Sequence, residues 1–163
     1  MTEKQELLDE LAAGTRILLE ALDGVTDAER RPAPDRWSAL EIVEHVAVVE
    51  AYLLARLLEA VDATEPAGSP QREGKIRRFA PTRVRPVTAP EMLVPTGRYA
   101  TVAEALRAFH AHRAETTRYV EAAEGDLRAK TAIHPLLGNV NAYEMLLMMA
   151  AHPRRHAEQI TSG

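Results

Sequence analysis

The chain has 163 residues, of which 46% are hydrophobic and 27% charged, a composition that excludes disorder and fits one globular domain with its own core. A formal net charge of −4 excludes the basic field needed for general binding to nucleic acid or an anionic membrane, and the absence of cysteine excludes disulfides and thiolate ligands. Because the sequence shows no signal peptide and no apolar run long enough to span a bilayer, we expect a single cytoplasmic domain over residues 1–163.

Four capping patterns mark the starts of four predicted helices. In each pattern a Ser, Thr or Asn is followed three residues later by Glu or Gln, so that two backbone N–H groups at a helix start find acceptors. An apolar stripe at helical spacing follows every pattern. In chain order, the patterns begin at Thr2, Ser38, Thr101 and Asn141, and the predicted helices cover residues 3–22, 39–60, 102–123 and 142–160. Four amphipathic helices of similar length predict an all-α four-helix bundle.

The connection between the second and third predicted helices, residues 62–100, is long, rich in proline and locally basic. Its basic residues include Arg72, Lys75, Arg77, Arg78, Arg83 and Arg85. A connector of this length favours a solvated crossover between the two helices. The alternative is a functional segment, namely a lid or an anion-binding rim over one end of the bundle.

Three of the six histidines fall on faces that the bundle would bury. His152 and His156 are four residues apart on the last helix, on the same side as Met149 and Ile160, and His45 lies on the shoulder of the apolar stripe of the second helix. Two imidazoles at this spacing can bind one ion, and three neutral imidazoles make an open metal site. From spacing alone, hydrogen-bonded core histidines are an equally good interpretation, because H-x-x-x-H lacks the glutamate of the zinc-protease motif.

Pro153 stands between the two histidines of the last helix. It removes the backbone hydrogen bond to the carbonyl of Met149 and crowds that turn. The apolar pattern continues to Ile160, so we expect a helix that is distorted but continuous. The freed carbonyl then needs another partner.

Several other polar residues are candidates for roles near the site. Arg113 lies on the buried face of the third helix, where we expect its stem to pack and its head group either to extend to solvent or to pair with a carboxylate, an anion-binding role being the alternative. Glu44 and Glu50 are candidate bases, but their positions lie off the inward stripe of the second helix, so we do not assign them that role. Trp37 fits a structural hydrophobic staple before the Ser38 cap. The remaining histidines, for which we expect surface or supporting roles, are His110, His112 and His134 in a loop.

Two segments resemble the DinB-like, YfiT-related superfamily. "DRWSALEIVEHVAVVEAY" is similar to the W-S-x-x-E-I-x-x-H stretch that opens the second helix of that family, and "HPLLGNVNAYEMLLMMAAHPRRHAEQI" is similar to its closing H-P-x-x-G and H-x-x-x-H-x-x-Q-I stretches. The resemblance implies an up-down-down-up four-helix bundle with a divalent metal, zinc or nickel. Matched residue by residue, the ligands of the family are His45, His152 and His156, and Gln159 falls on the final Q-I as a residue that orients a ligand or, alternatively, as a surface amide.

The same resemblance implies a homodimer and a small-molecule substrate. Its activities are hydrolysis, in which the metal lowers the pKa of bound water, and transfer that depends on a low-molecular-weight thiol such as mycothiol or bacillithiol. Because the chain has no cysteine, any thiolate must arrive with a cosubstrate. The non-enzymatic alternative is a dimerisation or sensing module with a structural metal or none.

Overall fold

The computed structural model describes residues 1–83 and 87–163, so Arg85 of the predicted basic connector lies outside the described residues. The α-helices are α1 Glu3–Asp23, α2 Ala39–Leu58, α3 Pro70–Phe79, α4 Val102–Ala122 and α5 Ala142–Thr161. The strands are β1 Val61–Asp62, β2 Lys130–His134 and β3 Gly138–Asn141, and single 3-10 turns lie at Glu91–Leu93 and Leu127–Ala129.

The four predicted helices are confirmed, with ends within two residues of the expected ones. Each begins directly after its predicted cap, whose side chain accepts a hydrogen bond from the backbone N–H three residues later. Ser38 and Asn141 form complete capping boxes, because the carboxylates of Glu41 and Glu144 also return to the cap N–H groups. These two boxes fix the starts of α2 and α5, the helices that carry the three inward histidines.

The helices run up, down, down and up. Lys4, at the start of α1, donates to the carbonyl of Ala123 just after α4, so α1 and α4 are antiparallel. Ile42 lies near the start of α2 and Phe109 lies in the first half of α4, and both belong to one core cluster. The starts of α2 and α4 therefore lie at the same end of the bundle, so these helices are parallel. α5 packs along α1 and runs opposite to α2. The predicted bundle order is therefore present.

The connection between α2 and α4 contains α3, a helix that we did not predict. Its start carries ordinary signals, since Ser69 caps the helix and Pro70 is its first residue. Arg72 donates two hydrogen bonds of 2.7 Å to Glu144 at the start of α5, and Arg77 pairs with Glu10 of α1. Two of the basic residues of this segment therefore attach α3 to α1 and α5.

A small antiparallel sheet in the order β1-β2-β3 lies where α2 ends and α5 begins, and it was not predicted. His134 is its last β2 residue and is buried, which corrects the expected loop position with a surface or supporting role. Its Nδ1 accepts the backbone N–H groups of Leu136 and Leu137 at 3.1 and 3.2 Å. His134 thus closes the turn between β2 and β3.

The buried apolar side chains form two clusters along the bundle. The larger one lies toward the sheet and includes Leu7, Leu53, Val120, Met145 and Met149. The smaller one lies toward the opposite end, where α2 begins, and comprises Leu18, Ile42, Val46, Ala47 and Phe109. The inward histidines lie at the end of the smaller cluster, opposite to the sheet. No helix within residues 1–83 and 87–163 is long and apolar enough to cross a membrane.

Candidate metal centre

His45, His152 and His156 converge in the structure. One potential ligand nitrogen from each lies within 4.8 Å of the other two, and no other group of three or more potential ligands meets in this way within residues 1–83 and 87–163. The Nε2 atoms of His152 and His156 are 3.1 Å apart. The centroids of the His45 ring and of these two rings are separated by 5.1 and 4.7 Å. His45 and His156 are buried, and His152 is partly buried.

The ligand helix continues through Pro153, as predicted, because α5 is unbroken from Ala142 to Thr161. The expected replacement partner for the freed carbonyl is also present. Nη2 of Arg113 donates to the Met149 carbonyl at 2.8 Å. An arginine from α4 therefore fills the place of the backbone N–H that proline lacks, and the helical spacing that points His152 and His156 the same way is kept.

The outer nitrogens of two of the histidines are held by neighbouring acceptors. Nδ1 of His45 donates to the Leu93 carbonyl at 2.7 Å, and Nδ1 of His156 donates to Oε1 of Gln159 at 2.7 Å. A proton on Nδ1 leaves Nε2 with a free lone pair, the form of imidazole that binds a metal. Gln159 thus lies where a residue that orients a ligand would lie.

The same environment keeps the imidazoles neutral. Burial lowers the pKa of His45, and burial followed by the proximity of the other histidines lowers the pKa of His152. For His156, burial, His45 and the cationic side chains of Arg83 and Arg155 lower the pKa, against the hydrogen bond to Gln159. Each imidazole is therefore available as an electron-pair donor at neutral pH.

The placement of Glu44 and Glu50 off the buried stripe was wrong, because both are buried. The carboxylate of Glu44 accepts three backbone N–H groups, at 2.6 to 3.1 Å, from residues 96 to 98 near the end of the connection between α2 and α4. Glu50 is paired with Arg113 and Thr116. α2 is covered by α4, α5 and this loop on faces that a helical wheel treats as exposed. Both carboxylates are occupied, which agrees with not assigning them as bases.

Arg113 pairs with a carboxylate, which is one of the two arrangements that we expected for a structural arginine. It donates two hydrogen bonds of 3.0 Å to Glu50 and one of 3.0 Å to the Leu11 carbonyl, besides the one to Met149. Thr116 completes the set with a 2.7 Å bond to Glu50. Arg113 therefore joins all four bundle helices at one level, next to the turn that carries His152.

Two further side chains, Trp37 and Arg83, lie next to the cluster. Trp37 packs in the cluster that contains Ile42, as a staple residue does, and its ring also lies 4.9 Å from the His45 ring. Nη1 of Arg83 donates to Oε1 of Gln159 at 3.3 Å, a contact that no sequence pattern indicated beyond the basic character of the connector. His110 is exposed, and neither it nor His112 belongs to the cluster.

The comparisons with known proteins agree with this architecture. The family model of the DinB superfamily matches residues 7–160. The chain belongs to the DinB superfamily. No curated protein matches it at a significant level.

Two solved structures share the fold of this DinB-superfamily chain. TT2238, a four-helix bundle protein, is 21% identical with a TM-score of 0.64, over 98% of this chain and 99% of that one. YfiT from Bacillus subtilis, described as "a probable metal-dependent hydrolase with an unusual four-helix bundle topology", is 14% identical with a TM-score of 0.61, over 99% of this chain and 87% of that one. At these identities the likeness shows the fold alone.

Proposed function

We propose that His45, His152 and His156 bind one divalent metal ion, zinc or nickel, and that this chain is a metal-dependent hydrolase of a small molecule. The observation that carries the proposal is the convergence of three neutral imidazoles whose inner nitrogens face one another. Buried imidazole nitrogens need partners, and one ion supplies a partner to all three. The description of YfiT as a probable metal-dependent hydrolase supports the reaction class.

The donor set fits an ion that remains open to a substrate. Three histidines leave at least one coordination position for water or substrate, as in catalytic rather than structural zinc sites. A divalent ion held there would act as a Lewis acid toward water, a carbonyl or a thiol. The chain itself supplies three oriented nitrogens, and the Leu93 carbonyl and Gln159 hold two of the rings in place.

A thiol-dependent transferase is the second candidate, and the state of the acidic side chains favours it. Glu44 and Glu50, the two buried carboxylates of α2, each accept three hydrogen bonds from other groups of the chain, which disfavours them as general bases. A thiol has a reference pKa of about 8.5 and needs less help to lose its proton than water does. The thiol would be a low-molecular-weight cosubstrate, because the chain has no cysteine.

Metal content tests the first step of the proposal. The protein is purified without an affinity tag, incubated with zinc or nickel, and desalted before its bound metal is measured. We expect about one ion per chain in the wild type and in the control His110→Ala, which removes an exposed histidine outside the cluster. His45→Ala and His156→Ala should lose the ion. A folded wild type that retains no metal would sink the metal proposal.

Turnover by the metal-loaded protein separates the two reactions. Ester and amide substrates are offered with and without an added small thiol, and thiol consumption is followed with an electrophilic substrate. Hydrolysis that needs no thiol and is lost in His156→Ala supports the hydrolase. Transfer that requires the thiol supports the transferase. Metal binding without either activity leaves the dimerisation or sensing module, whose homodimer is a prediction that sedimentation would measure.

A further inference from the structure

The candidate metal centre has an unbalanced electrostatic environment. Its three histidines are neutral and contribute no negative charge to offset a divalent ion. Of the two buried carboxylates of α2, Glu50 is paired with Arg113, whereas Glu44 accepts only neutral backbone N–H groups and keeps its negative charge next to His45. On the side of His156, by contrast, two arginines lie close enough to lower the pKa of that imidazole, Arg83 and Arg155. With a divalent ion bound, the side of the centre next to His156 would therefore be positive.

Arg83 is held at the edge of this centre. Its Nη1 donates to Oε1 of Gln159, and the same oxygen accepts the Nδ1 proton of His156, so one glutamine links the guanidinium to the imidazole. The side chain is partly buried, and no carboxylate within residues 1–83 and 87–163 pairs with it. A single bond to a neutral amide oxygen uses only part of the five-donor fork of arginine.

Arg155 strengthens the positive field without being a ligand itself. It leaves α5 one residue before His156, and its guanidinium donates to the Thr82 carbonyl, next to Arg83. Burial and the charge of Arg83 lower the pKa of Arg155, against the charge of Glu158, which raises it. An anion placed beside the two guanidinium groups would be attracted by both.

We propose that the small molecule bound at this centre carries an oxyanion group, a carboxylate or a phosphate, and that Arg83 binds that group beside the His45–His152–His156 site. This deepens the proposed function and rests on it, because the reacting part of the substrate lies at the metal. The planar fork of arginine matches a two-oxygen anion, and such charge-assisted bonds are the strong ones. The positive charges of the ion, Arg83 and Arg155 would also attract such an anion.

Anion binding to the metal-loaded protein tests this assignment without measuring turnover. Inorganic phosphate and acetate are titrated calorimetrically into zinc-loaded wild type, Arg83→Gln, Arg83→Lys and the control Arg107→Gln, which removes an exposed arginine of α4. Loss of a hydrogen bond to a charged group should weaken binding by about 10- to 100-fold in Arg83→Gln. Arg83→Lys, which keeps the charge without the fork, should fall between it and the wild type, and Arg107→Gln should match the wild type.

The metal content of each protein, measured in the same samples, distinguishes the two levels of failure. Equal metal loading with equal anion affinity in wild type and Arg83→Gln overturns the oxyanion assignment and leaves the metal proposal standing. An equal loss of affinity in Arg107→Gln also overturns the assignment, because general surface charge then explains the binding. The assignment is likewise overturned if neither anion binds to the metal-loaded wild type. If the wild type carries no metal, the metal proposal fails. The same anions are then titrated into the metal-free proteins, and equal anion affinities in wild type and Arg83→Gln overturn the Arg83 assignment as well.

Discussion

Two buried polar clusters lie next to each other in this bundle and are built in opposite ways. Around Arg113, the carboxylate of Glu50, the hydroxyl of Thr116 and two backbone carbonyls all find partners at 2.7 to 3.0 Å. Around the histidines, the outer nitrogens of two rings are paired, but the inner nitrogens face one another. Both clusters draw on α2 and α5, and both exclude water from most of their atoms.

The difference teaches how to separate structure from function among buried polar groups. A cluster whose donors and acceptors match one another is complete, and its role is to hold helices together. A cluster that turns three imidazole nitrogens toward one another has the arrangement that a cation from outside the chain would complete, as we propose above. The Met149 carbonyl connects the two, because Arg113 reaches it across the turn that carries His152.

Breaking the complete cluster should have the largest effect on stability. Arg113→Met leaves Glu50 buried without its cation and frees the Leu11 and Met149 carbonyls. Removing one partner of a buried ion pair costs about 3–5 kcal/mol. We expect the free energy of unfolding in urea to fall by that amount. The double variant Glu50→Gln with Arg113→Met removes the stranded charge and should recover part of the loss. A wild-type stability in Arg113→Met would show that the cluster does not hold the bundle.

A third buried polar group, His134, should make the stability of the protein depend on pH. Burial lowers its pKa to about 4, whereas histidine in an unfolded chain titrates near about 6.5. Between about pH 6.5 and about pH 4, the His134 imidazole is protonated in the unfolded chain but not in the folded chain. The free energy of unfolding therefore falls as the pH drops from about 6.5 toward about 4. A shift of roughly 2.5 pKa units corresponds to about 3 kcal/mol.

His134→Asn is the matched variant for this pH dependence. The asparagine oxygen can accept the N–H groups of Leu136 and Leu137, as Nδ1 of His134 does, and it does not titrate. Urea unfolding at several pH values between 7 and 4 should show a smaller loss of stability in the variant than in the wild type. Superimposable pH profiles would contradict the assigned role of His134.

Breaking the incomplete cluster should change the response to metal rather than the fold. A ligand present at 100 times its dissociation constant stabilises a protein by about 2.7 kcal/mol. We expect zinc at such an excess to raise the stability of the wild type and of His110→Ala by this amount. His156→Ala, with one of three ligands removed, should gain close to nothing at the same zinc concentration. An undiminished gain in His156→Ala would place the bound metal elsewhere.

The sequence predicted the parts of this structure that depend on local chemistry. The capping residues gave the four helix starts, and helical spacing together with the family resemblance brought His45, His152 and His156 to one place. Pro153 even indicated that the Met149 carbonyl would need a new partner. The helix starts, the inward direction of each histidine and the effect of Pro153 depend on residues within one or two turns of a helix, whereas the family resemblance implied that His45 meets His152 and His156.

The features that were missed depend on partners remote in the chain. Glu44 is buried because a loop more than 50 residues later covers it, and Arg113 reaches a carbonyl of α1 across 102 positions. α3 has a clear cap, but its own apolar pattern is weak and its position depends on ion pairs with α1 and α5. Local periodicity contains no information about such contacts.

The smallest expected effect tests the link between the two clusters. Pro153→Ala restores a backbone N–H that can donate to the Met149 carbonyl, the atom that Arg113 now satisfies. In the wild type this addition should matter little, because the carbonyl already has a donor. In Arg113→Lys, whose single ammonium cannot serve Glu50 and both carbonyls together, the restored N–H should recover part of the lost stability.

A double-mutant cycle isolates this recovery. Urea unfolding of the wild type, Arg113→Lys, Pro153→Ala and the double variant gives the coupling free energy. Effects of proline on the unfolded chain cancel, because they appear on both sides of the cycle. One hydrogen bond gives an expected coupling of about 1 kcal/mol, with the double variant more stable than the sum of the single changes predicts. Additivity within about 0.3–0.5 kcal/mol would mean that Arg113 and Pro153 act independently. A positive coupling would show that the complete cluster stabilises the helix that carries two histidines of the incomplete one.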